Sequence, residues 1–130
     1  MTSGGAAPLR LRKRKDFLAA ARGSRRHASA FVLQVGNPAP GASEDAPARF
    51  GLTVTKKTVP SAVRRNRIRR RLREALRLGA ALSAQPGRDY VFVAREAAID
   101  LPFARLMSDM SAALSAPARE RRPKARPSSP

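Results

Sequence analysis

Hydrophobic and polar residues alternate along residues 49–57, which predicts a strand with one face against a core. The apolar face carries Phe50, Leu52 and Val54, and the opposite face carries Arg49, Thr53, Thr55 and Lys57. Residues 31–35 and 89–96 are predicted as two further strands. The second has consecutive apolar residues, which is typical of a strand buried on both faces.

Apolar residues at helical spacing predict three helices around these strands. The first precedes the strand at 31–35 and stops at Gly23, a residue favoured just beyond a helix C-terminus. The second runs from an N-cap at Ser61 to near Leu82, and the third begins after an N-cap at Asp100. The order helix, strand, strand, helix, strand, helix predicts an α+β fold, a small two-layer sandwich with helices packed over a mixed β-sheet.

The two ends of the chain differ in composition from its middle. Residues 1–8 are predicted to be a disordered N-terminus. Residues 117–130 are predicted to be a disordered basic tail because they are punctuated by proline and lack apolar spacing. Residues 36–48 contain Gly, Pro, Ser and two acids and are predicted to be a loop between strands. One domain is therefore expected over residues 9–116.

The 130-residue chain carries a formal net charge of +18, from 27 Lys and Arg against 9 Asp and Glu. Arginine makes up 22 of these 27 cations. Charge of this size opposes compaction unless a polyanion neutralises it, and the flat guanidinium group suits phosphate. Nucleic acid is therefore the leading partner class, with an anionic membrane surface as the weaker alternative.

The second predicted helix concentrates this charge, with eight arginines and one glutamate between Arg64 and Arg77. A helical wheel places Ile68, Leu72, Ala75 and Leu76 in one apolar stripe, and Asn66, Arg70, Arg73 and Arg77 opposite it. Glu74 is expected to pair with Arg70 or Arg71. A solvated helix would interleave more acids, so a phosphate-binding face is the favoured interpretation. RNA is favoured over DNA because neither a helix-turn-helix nor a heptad repeat is present.

Three strings in the chain resemble the protein component of bacterial ribonuclease P: GLTVTKK (51–57), AVRRNRIRRRLREALR (62–77) and DYVFVARE (89–96). The most specific part is the Arg-Asn-Arg signature at residues 65–67, followed by the pair Arg73 and Glu74. The resemblance spans about residues 9 to 115. It implies an α+β sandwich shared with a ribosomal-protein domain, an RNA-binding role for residues 9–116, and an unusual left-handed βαβ crossover.

The same resemblance implies a function. The chain would be the protein subunit of ribonuclease P, which binds the catalytic RNA and the 5′ leader of precursor tRNA. It would assist the Mg²⁺-dependent removal of that leader during tRNA 5′-end maturation, as the accessory subunit of a ribonucleoprotein endoribonuclease. The protein alone is not expected to be catalytic, so no catalytic residue is assigned.

The resemblance also implies residue roles. The expected contacts to the catalytic RNA are Lys56, Lys57, Arg64, Arg65, Asn66, Arg67, Arg69, Arg70 and Arg73. The candidates for the cleft that holds the leader are Phe17, Phe31, Arg49, Thr53 and Thr55. An aromatic ring can stack on a base, but plain core packing is as good an interpretation for each phenylalanine.

Two other function classes stay open. A ribosomal protein that scaffolds rRNA would share the composition and the fold, although the Arg-Asn-Arg string favours ribonuclease P. A self-sufficient nuclease would need acids placed to hold a metal pair. The nearest acidic cluster, Asp89, Glu96 and Asp100, is instead expected to cap a helix and balance nearby arginines. His27, the single histidine, is expected to be a solvated loop residue rather than a catalytic base.

The composition sets the remaining expectations. The chain contains no cysteine, which excludes disulfides and Cys-ligated zinc. The protein alone is expected to bind no metal or cofactor, and Mg²⁺ would act with the RNA in the holoenzyme. The expected partners are the catalytic RNA and precursor tRNA, with no membrane and no protein partner implied. No apolar run is long enough for a membrane span and the first residues resemble no secretory signal, so a cytoplasmic location is expected.

Overall fold

The computed structural model describes residues 9–11, 13–36, 47–85 and 87–115. Over these residues the strands are β1 (Leu9–Arg10), β2 (Ser24–His27), β3 (Phe31–Gly36), β4 (Arg49–Thr53) and β5 (Asp89–Ala94). The α-helices are α1 (Arg14–Ala21), α2 (Ala62–Leu78) and α3 (Phe103–Ser115), and short 3₁₀ turns span Ala80–Ser83 and Glu96–Ala98. The tails predicted at 1–8 and 117–130, and most of the loop predicted at 36–48, lie outside the described residues.

The strands form one mixed sheet in the order β1-β4-β5-β3-β2, which confirms the predicted α+β fold. β4 runs parallel to β1 and β5, whereas β3 is antiparallel to β5 and β2. β4, α2 and β5 therefore make the parallel βαβ unit for which the family resemblance implies a left-handed crossover. The strand registers align Thr53, Val93, Val32 and His27 in one row across the sheet.

The main core lies between one face of the sheet and the helices α2 and α3. Its aromatic centre pairs Phe31 edge-on with Phe92, with ring centroids 5.0 Å apart, and stacks Phe50 on Tyr90 at 5.8 Å. The helices contribute fully buried side chains, namely Ile68, Leu72, Ala75, Leu106, Met110 and Leu114. Burial of these large apolar groups is the main driving force that holds α2 against the sheet.

The opposite face of the sheet is only partly covered, by α1. Ala20 of α1 packs with Leu11 and Val91, and Phe17 lies against this small cluster. Alternation along the strands places Val91 and Val93 on this same face. Val93 also packs against this cluster. The side chains of the row that runs from Thr53 to His27 are half-buried or exposed. We call this row the open row of the sheet.

Several predicted element ends were wrong. The strand predicted at 49–57 ends at Thr53, because the Thr55 Oγ1 accepts the N–H of Thr58 and closes a turn at residues 56–58. α2 ends at Leu78 rather than near Leu82, because Gly79 adopts a φ of +148°, a conformation that favours glycine. α3 begins at Phe103, so Asp100 is not its N-cap.

Two strands were not predicted. β1 is two residues long and β2 has the sequence SRRH, so neither shows an apolar alternation. β2 is nevertheless a full edge strand paired with β3 from Ser24 to His27. His27 therefore ends a strand instead of lying in a loop, and its Nδ1 lies 3.4 Å from Arg95 Nη2.

Candidate nucleic-acid interface

The start of α2 is built by local hydrogen bonds that follow from its sequence. The Ser61 Oγ accepts the N–H of Arg64 at 3.3 Å, so the predicted N-cap is confirmed. Arg65 folds back over the preceding loop and donates from Nη1 to the carbonyl oxygens of Val59 at 3.0 Å and Pro60 at 2.8 Å. Val59 itself is buried in the main core. Arg65 therefore fixes the first turn of α2 to the preceding loop, which is itself anchored in the core by Val59.

The predicted apolar stripe of α2 sets the direction of its arginines. Ile68, Leu72, Ala75 and Leu76 are buried, as the helical wheel indicates. Residues about half a turn away must then point outward. Arg67, Arg70 and Arg73 are exposed, as expected from that geometry.

A cleft of about 710 Å³ lies between this outer side of α2 and the edge of the sheet at β1 and β4, and we call it the basic cleft. Its polar lining residues are Arg10, Asn66, Arg69, Arg70, Arg73, Glu74 and Arg77. Its apolar lining residues are Leu11, Phe17, Phe50, Gly51, Leu52 and Leu76. A cationic wall beside an apolar floor can hold phosphate on one side and the flat face of a base on the other.

Positive charge is crowded inside the basic cleft. Partial burial, followed by the positive charges of Arg10 and Arg69, lowers the pKa of Arg73. Arg69 also donates from Nη1 to the Asn66 Oδ1 at 3.3 Å, which holds these two side chains together. A bound anion would relieve this repulsion between like charges.

The carboxylate that lines the basic cleft is already engaged. Glu74 accepts two hydrogen bonds from Arg77, at 3.1 Å from Nε and 2.5 Å from Nη2, so the predicted pairing with Arg70 or Arg71 was wrong. The hydrogen bond from Arg77 lowers the pKa of Glu74, and the same bond raises the pKa of Arg77. The Glu74 carboxylate therefore points towards Arg77, about one helical turn later, and not towards Arg70.

Other basic residues named from the sequence lie around the start of α2. Lys56 and Lys57 are exposed in the turn before the helix. Arg64 makes an exposed ion pair with Glu96, with 3.6 Å between Nη2 and Oε2, so part of its charge is balanced within the protein. The expectation that Glu96 and Asp89 balance nearby arginines is confirmed by this pair and by the pair of Asp89 with Arg49.

The two phenylalanines proposed for the leader cleft have different surroundings. Phe17 is half-buried, lines the basic cleft and lies directly over Gly51. Phe31 is fully buried in the main core against Phe92, so its ring is not available to stack on a base. The assignment of Phe31 to a leader cleft was therefore wrong, because its strand position points it towards α2 and α3.

The remaining leader-cleft candidates are also separated by the structure. Arg49 donates to both carboxylate oxygens of Asp89 at 2.9 Å, which raises the pKa of Arg49, and its Nη1 lies 3.5 Å from Asp16. Thr53 lies on the open row. Thr55 lies beyond the end of β4, where its hydroxyl closes the turn with Thr58. Thr53 is therefore the one of these three that faces the open sheet.

Sequence reasoning missed several lining residues of the basic cleft, among them Arg10 and Gly51. Arg10 comes from β1, a strand too short to show a pattern, and its position is set by pairing with Phe50. Gly51 is buried beneath Phe17, and a glycine in a strand signals a close approach of another group. Gly51 was therefore the feature of the sequence that could have predicted the contact with Phe17.

The described part of the chain was searched for metal-binding clusters and for helices able to span a membrane. Among residues 9–11, 13–36, 47–85 and 87–115, no group of three or more His, Asp or Glu side chains could hold a metal ion. Within the same ranges, no helix combines the length and the apolar character that crossing a bilayer requires.

The family of this chain follows from its similarity to known proteins. The family model described as Ribonuclease P matches residues 6–117. The chain belongs to the ribonuclease P protein family. The predicted resemblance is thereby confirmed, and as a member of this family the chain is the protein subunit of the ribonucleoprotein enzyme ribonuclease P. An RNA partner in the holoenzyme follows from that membership.

Relatives and solved structures of the ribonuclease P family agree with this assignment. The ribonuclease P protein components of Bartonella quintana and Brucella suis are 46% and 44% identical, over 80% and 83% of this chain and 79% of each relative. The ribonuclease P protein of Thermotoga maritima superimposes with a TM-score of 0.65 at 26% identity, over 82% of this chain and 94% of that one. The ribonuclease P protein of Staphylococcus aureus superimposes with a TM-score of 0.60 at 26% identity, over 76% of this chain and 85% of that one. None of these four is a ribosomal protein, so the ribosomal alternative is not favoured.

Proposed function

We propose that this ribonuclease P protein binds the catalytic RNA through the outer side of α2 and the 5′ leader of precursor tRNA along the open row of the sheet. In doing so it assists Mg²⁺-dependent removal of the leader by the RNA. The observation that carries the proposal is the basic cleft, in which Arg69, Arg70 and Arg73 face the same space as Arg10. The carboxylate in that lining, Glu74, is occupied by Arg77.

The exposed arginines support contact with the phosphate backbone of a folded RNA. Each phosphate that a guanidinium neutralises releases condensed counterions, and this release favours binding at moderate salt. Lys56 and Lys57 extend the same basic surface around the N-terminus of α2. The backbone N–H groups of that terminus add further partial positive charge. Together these groups supply binding that depends on the shape of the RNA more than on its sequence.

The partly covered face of the sheet supports a separate site for single-stranded leader. The open row presents Thr53, Val93, Val32 and His27 across four strands. Phe17 lies over Gly51, which precedes Thr53 by two residues on β4 and is therefore on the same face of the sheet. A partly open sheet face beside one aromatic ring suits a flexible strand whose bases are unstacked. The leader would therefore be recognised by contacts to bases as well as by charge.

The chemistry of cleavage is assigned to the RNA. The described residues supply no set of carboxylates that fits a metal pair. The chain also belongs to the family of the protein subunit of ribonuclease P, a ribonucleoprotein enzyme. Mg²⁺ would act with the catalytic RNA in the holoenzyme. The role of the protein is to bind and orient the two RNAs, a role that belongs in the bacterial cytoplasm.

Reconstitution tests this function. Catalytic RNA alone, and the same RNA with the full-length protein, are compared for cleavage of precursor tRNA over a range of Mg²⁺ concentrations. The protein should increase cleavage most at low Mg²⁺, because its arginines replace part of the cation atmosphere that the two RNAs need. Equal cleavage with and without protein at every Mg²⁺ concentration would refute the proposal. Cleavage by the protein without the RNA would instead favour a self-sufficient nuclease.

A further inference from the structure

Arg71 differs from its neighbours on α2 because it is turned towards the protein. Its Nη1 donates to the carbonyl oxygens of Ala98 at 2.6 Å and Ile99 at 2.7 Å. Its Nη2 donates to the carbonyl oxygen of Leu101 at 2.5 Å. The guanidinium carbon also lies 5.9 Å from the ring centroid of Phe103, within the range of a cation–π contact.

These contacts join α2 to the segment that connects β5 with α3. The three carbonyl groups belong to the end of a 3₁₀ turn and the bend after it, where the backbone does not follow a regular hydrogen-bond ladder. Arginine can satisfy several carbonyls at once because its planar fork carries five N–H donors. Arg71 is half-buried, whereas Arg70 is exposed, so the charge of Arg71 is less accessible to a ligand in solution.

The position of Arg71 on the helix gives these bonds a mechanical consequence. On a helical wheel Arg71 lies about 60° to one side of Ile68, whereas Arg69 lies about 100° to the other side. A rotation of α2 about its axis that moved Arg69 away from the basic cleft would pull Arg71 away from its three carbonyls. Arg64, one heptad earlier, adds its ion pair with Glu96 on the same side of the helix.

We propose that Arg71 is a positioning residue that fixes the rotation of α2, so that Asn66, Arg69, Arg70 and Arg73 face the basic cleft before RNA arrives. Arg71 affects RNA binding by positioning those side chains, and it does not contact a phosphate itself. Preorganisation of this kind lowers the cost of ordering the interface on binding. The inference rests on the proposed contact between α2 and the catalytic RNA.

The test uses the full-length protein and the catalytic RNA of ribonuclease P, with affinity measured over a series of salt concentrations. Arg71→Gln should bind about tenfold more weakly, while the slope of log affinity against log salt stays at the wild-type value. Arg71→Lys should lose nearly as much affinity although it keeps the charge, because one ammonium group cannot reach three carbonyls. Circular dichroism at each salt concentration ensures that only folded protein is compared.

Two control variants separate the possible explanations. Arg67→Gln removes the same charge from an exposed position of α2, and it should lower the salt slope by about 0.7–0.9. Leu114→Ala removes a fully buried side chain from α3, and it should destabilise the fold while leaving the affinity of the folded protein unchanged.

Four outcomes would overturn the inference. They are wild-type affinity in Arg71→Gln, wild-type affinity in Arg71→Lys, a salt slope reduced in Arg71→Gln as in Arg67→Gln, and an equal loss of affinity in Leu114→Ala. The third would mean that Arg71 touches phosphate, and the fourth that any loss of stability weakens binding. A wild-type protein that does not bind the catalytic RNA would refute the proposed function itself, which the first measurement of the series reveals.

Discussion

The contact between Phe17 and Gly51 makes a sharp prediction about the part of the basic cleft nearest the open row. A Cβ atom placed on Gly51 would lie 2.5 Å from Phe17 Cε1 and 2.7 Å from Cζ. Ordinary contacts of a Cβ begin at 3.4 Å, so the Phe17 ring must retreat by about 1 Å in Gly51→Ala. This substitution therefore moves the ring without removing it.

The expected loss of stability follows from two opposing effects. Overpacking of this kind costs about 1–3 kcal/mol. Replacing glycine by alanine also restricts the unfolded chain, which returns about 0.4–1 kcal/mol. Gly51→Ala should therefore lower the free energy of unfolding by about 1–2 kcal/mol, which corresponds to a fall in Tm of about 5–10 °C for a domain of this size.

A double-mutant cycle isolates the contact from the rest of the fold. Thermal and denaturant unfolding are measured for wild type, Gly51→Ala, Phe17→Ala and the double variant. In the Phe17→Ala background the clash is absent, so Gly51→Ala should be neutral or stabilising by up to about 1 kcal/mol. In the holoenzyme, Gly51→Ala should also weaken binding of precursor tRNA that carries a leader by at least about fivefold, relative to mature tRNA, if the ring stacks on a base.

Two results would refute this reasoning. A Tm for Gly51→Ala at or above the wild-type value would show that the ring accommodates the methyl group without cost. The same destabilisation in both backgrounds would show that the cost arises elsewhere, for example against Leu11, whose Cδ1 lies 3.3 Å from the added Cβ. Unchanged leader discrimination alone would remove Phe17 from the leader site but would leave the packing argument intact.

Three further predictions concern α2. Arg70→Gln should reduce the slope of log affinity for the catalytic RNA against log salt by about 0.7–0.9, and an unchanged slope would place Arg70 away from phosphate. Ser61→Ala should lower the free energy of unfolding by about 1 kcal/mol because the N-cap bond to Arg64 is lost, and an unaltered denaturant midpoint would contradict this. The bond from Arg77 lowers the pKa of Glu74 below 4.5, so this pair stabilises α2 above that pH and ceases to do so as the pH falls through the lowered pKa. The difference in Tm between wild type and Glu74→Gln should therefore shrink in acid, and its persistence there would count against the pair.

The sequence pattern predicted the parts of the fold that bury apolar residues at a regular period. β3, β4, β5, α2 and α3 were predicted because each places large side chains in the core. α1, whose buried residue is Ala20, was predicted from its stop at Gly23. β2 was not, because an edge strand needs only backbone bonds to its neighbour, and SRRH contributes no apolar face. Helix and strand ends were predicted less well, because the turn closed by Thr55 and the backbone of Gly79 depend on local geometry that periodicity does not report.

The candidate site shows the same division. The helical wheel predicted which side of α2 is outward, because the buried stripe around Ile68 fixes the rest. It could not predict that Arg71 binds carbonyl groups in a segment near residue 100, since those partners become neighbours only in the folded chain. It also could not separate Phe17 from Phe31, because an aromatic residue in a core and one beside a cleft have the same local pattern.

The partners of the individual arginines indicate how strongly RNA binding should depend on salt. Arg64, Arg65, Arg71 and Arg77 of α2 have carboxylate or carbonyl partners within the protein. The other basic residues of this surface that are expected to meet phosphate are Arg67, Arg69, Arg70, Arg73, Lys56, Lys57 and Arg10. Seven contacts correspond to a slope of about 5–6 in log affinity against log salt.

The measured salt slope tests whether the crowded arginines of the basic cleft bind phosphate. Repulsion from Arg10 and Arg69 is already present in the free protein, where it lowers the pKa of Arg73. Phosphate that entered the cleft would convert this repulsion into attraction, so the cleft residues should account for about half of the slope. A measured slope no greater than about 3 would mean that most of these side chains do not touch phosphate, and their arrangement around one cleft would then need another explanation.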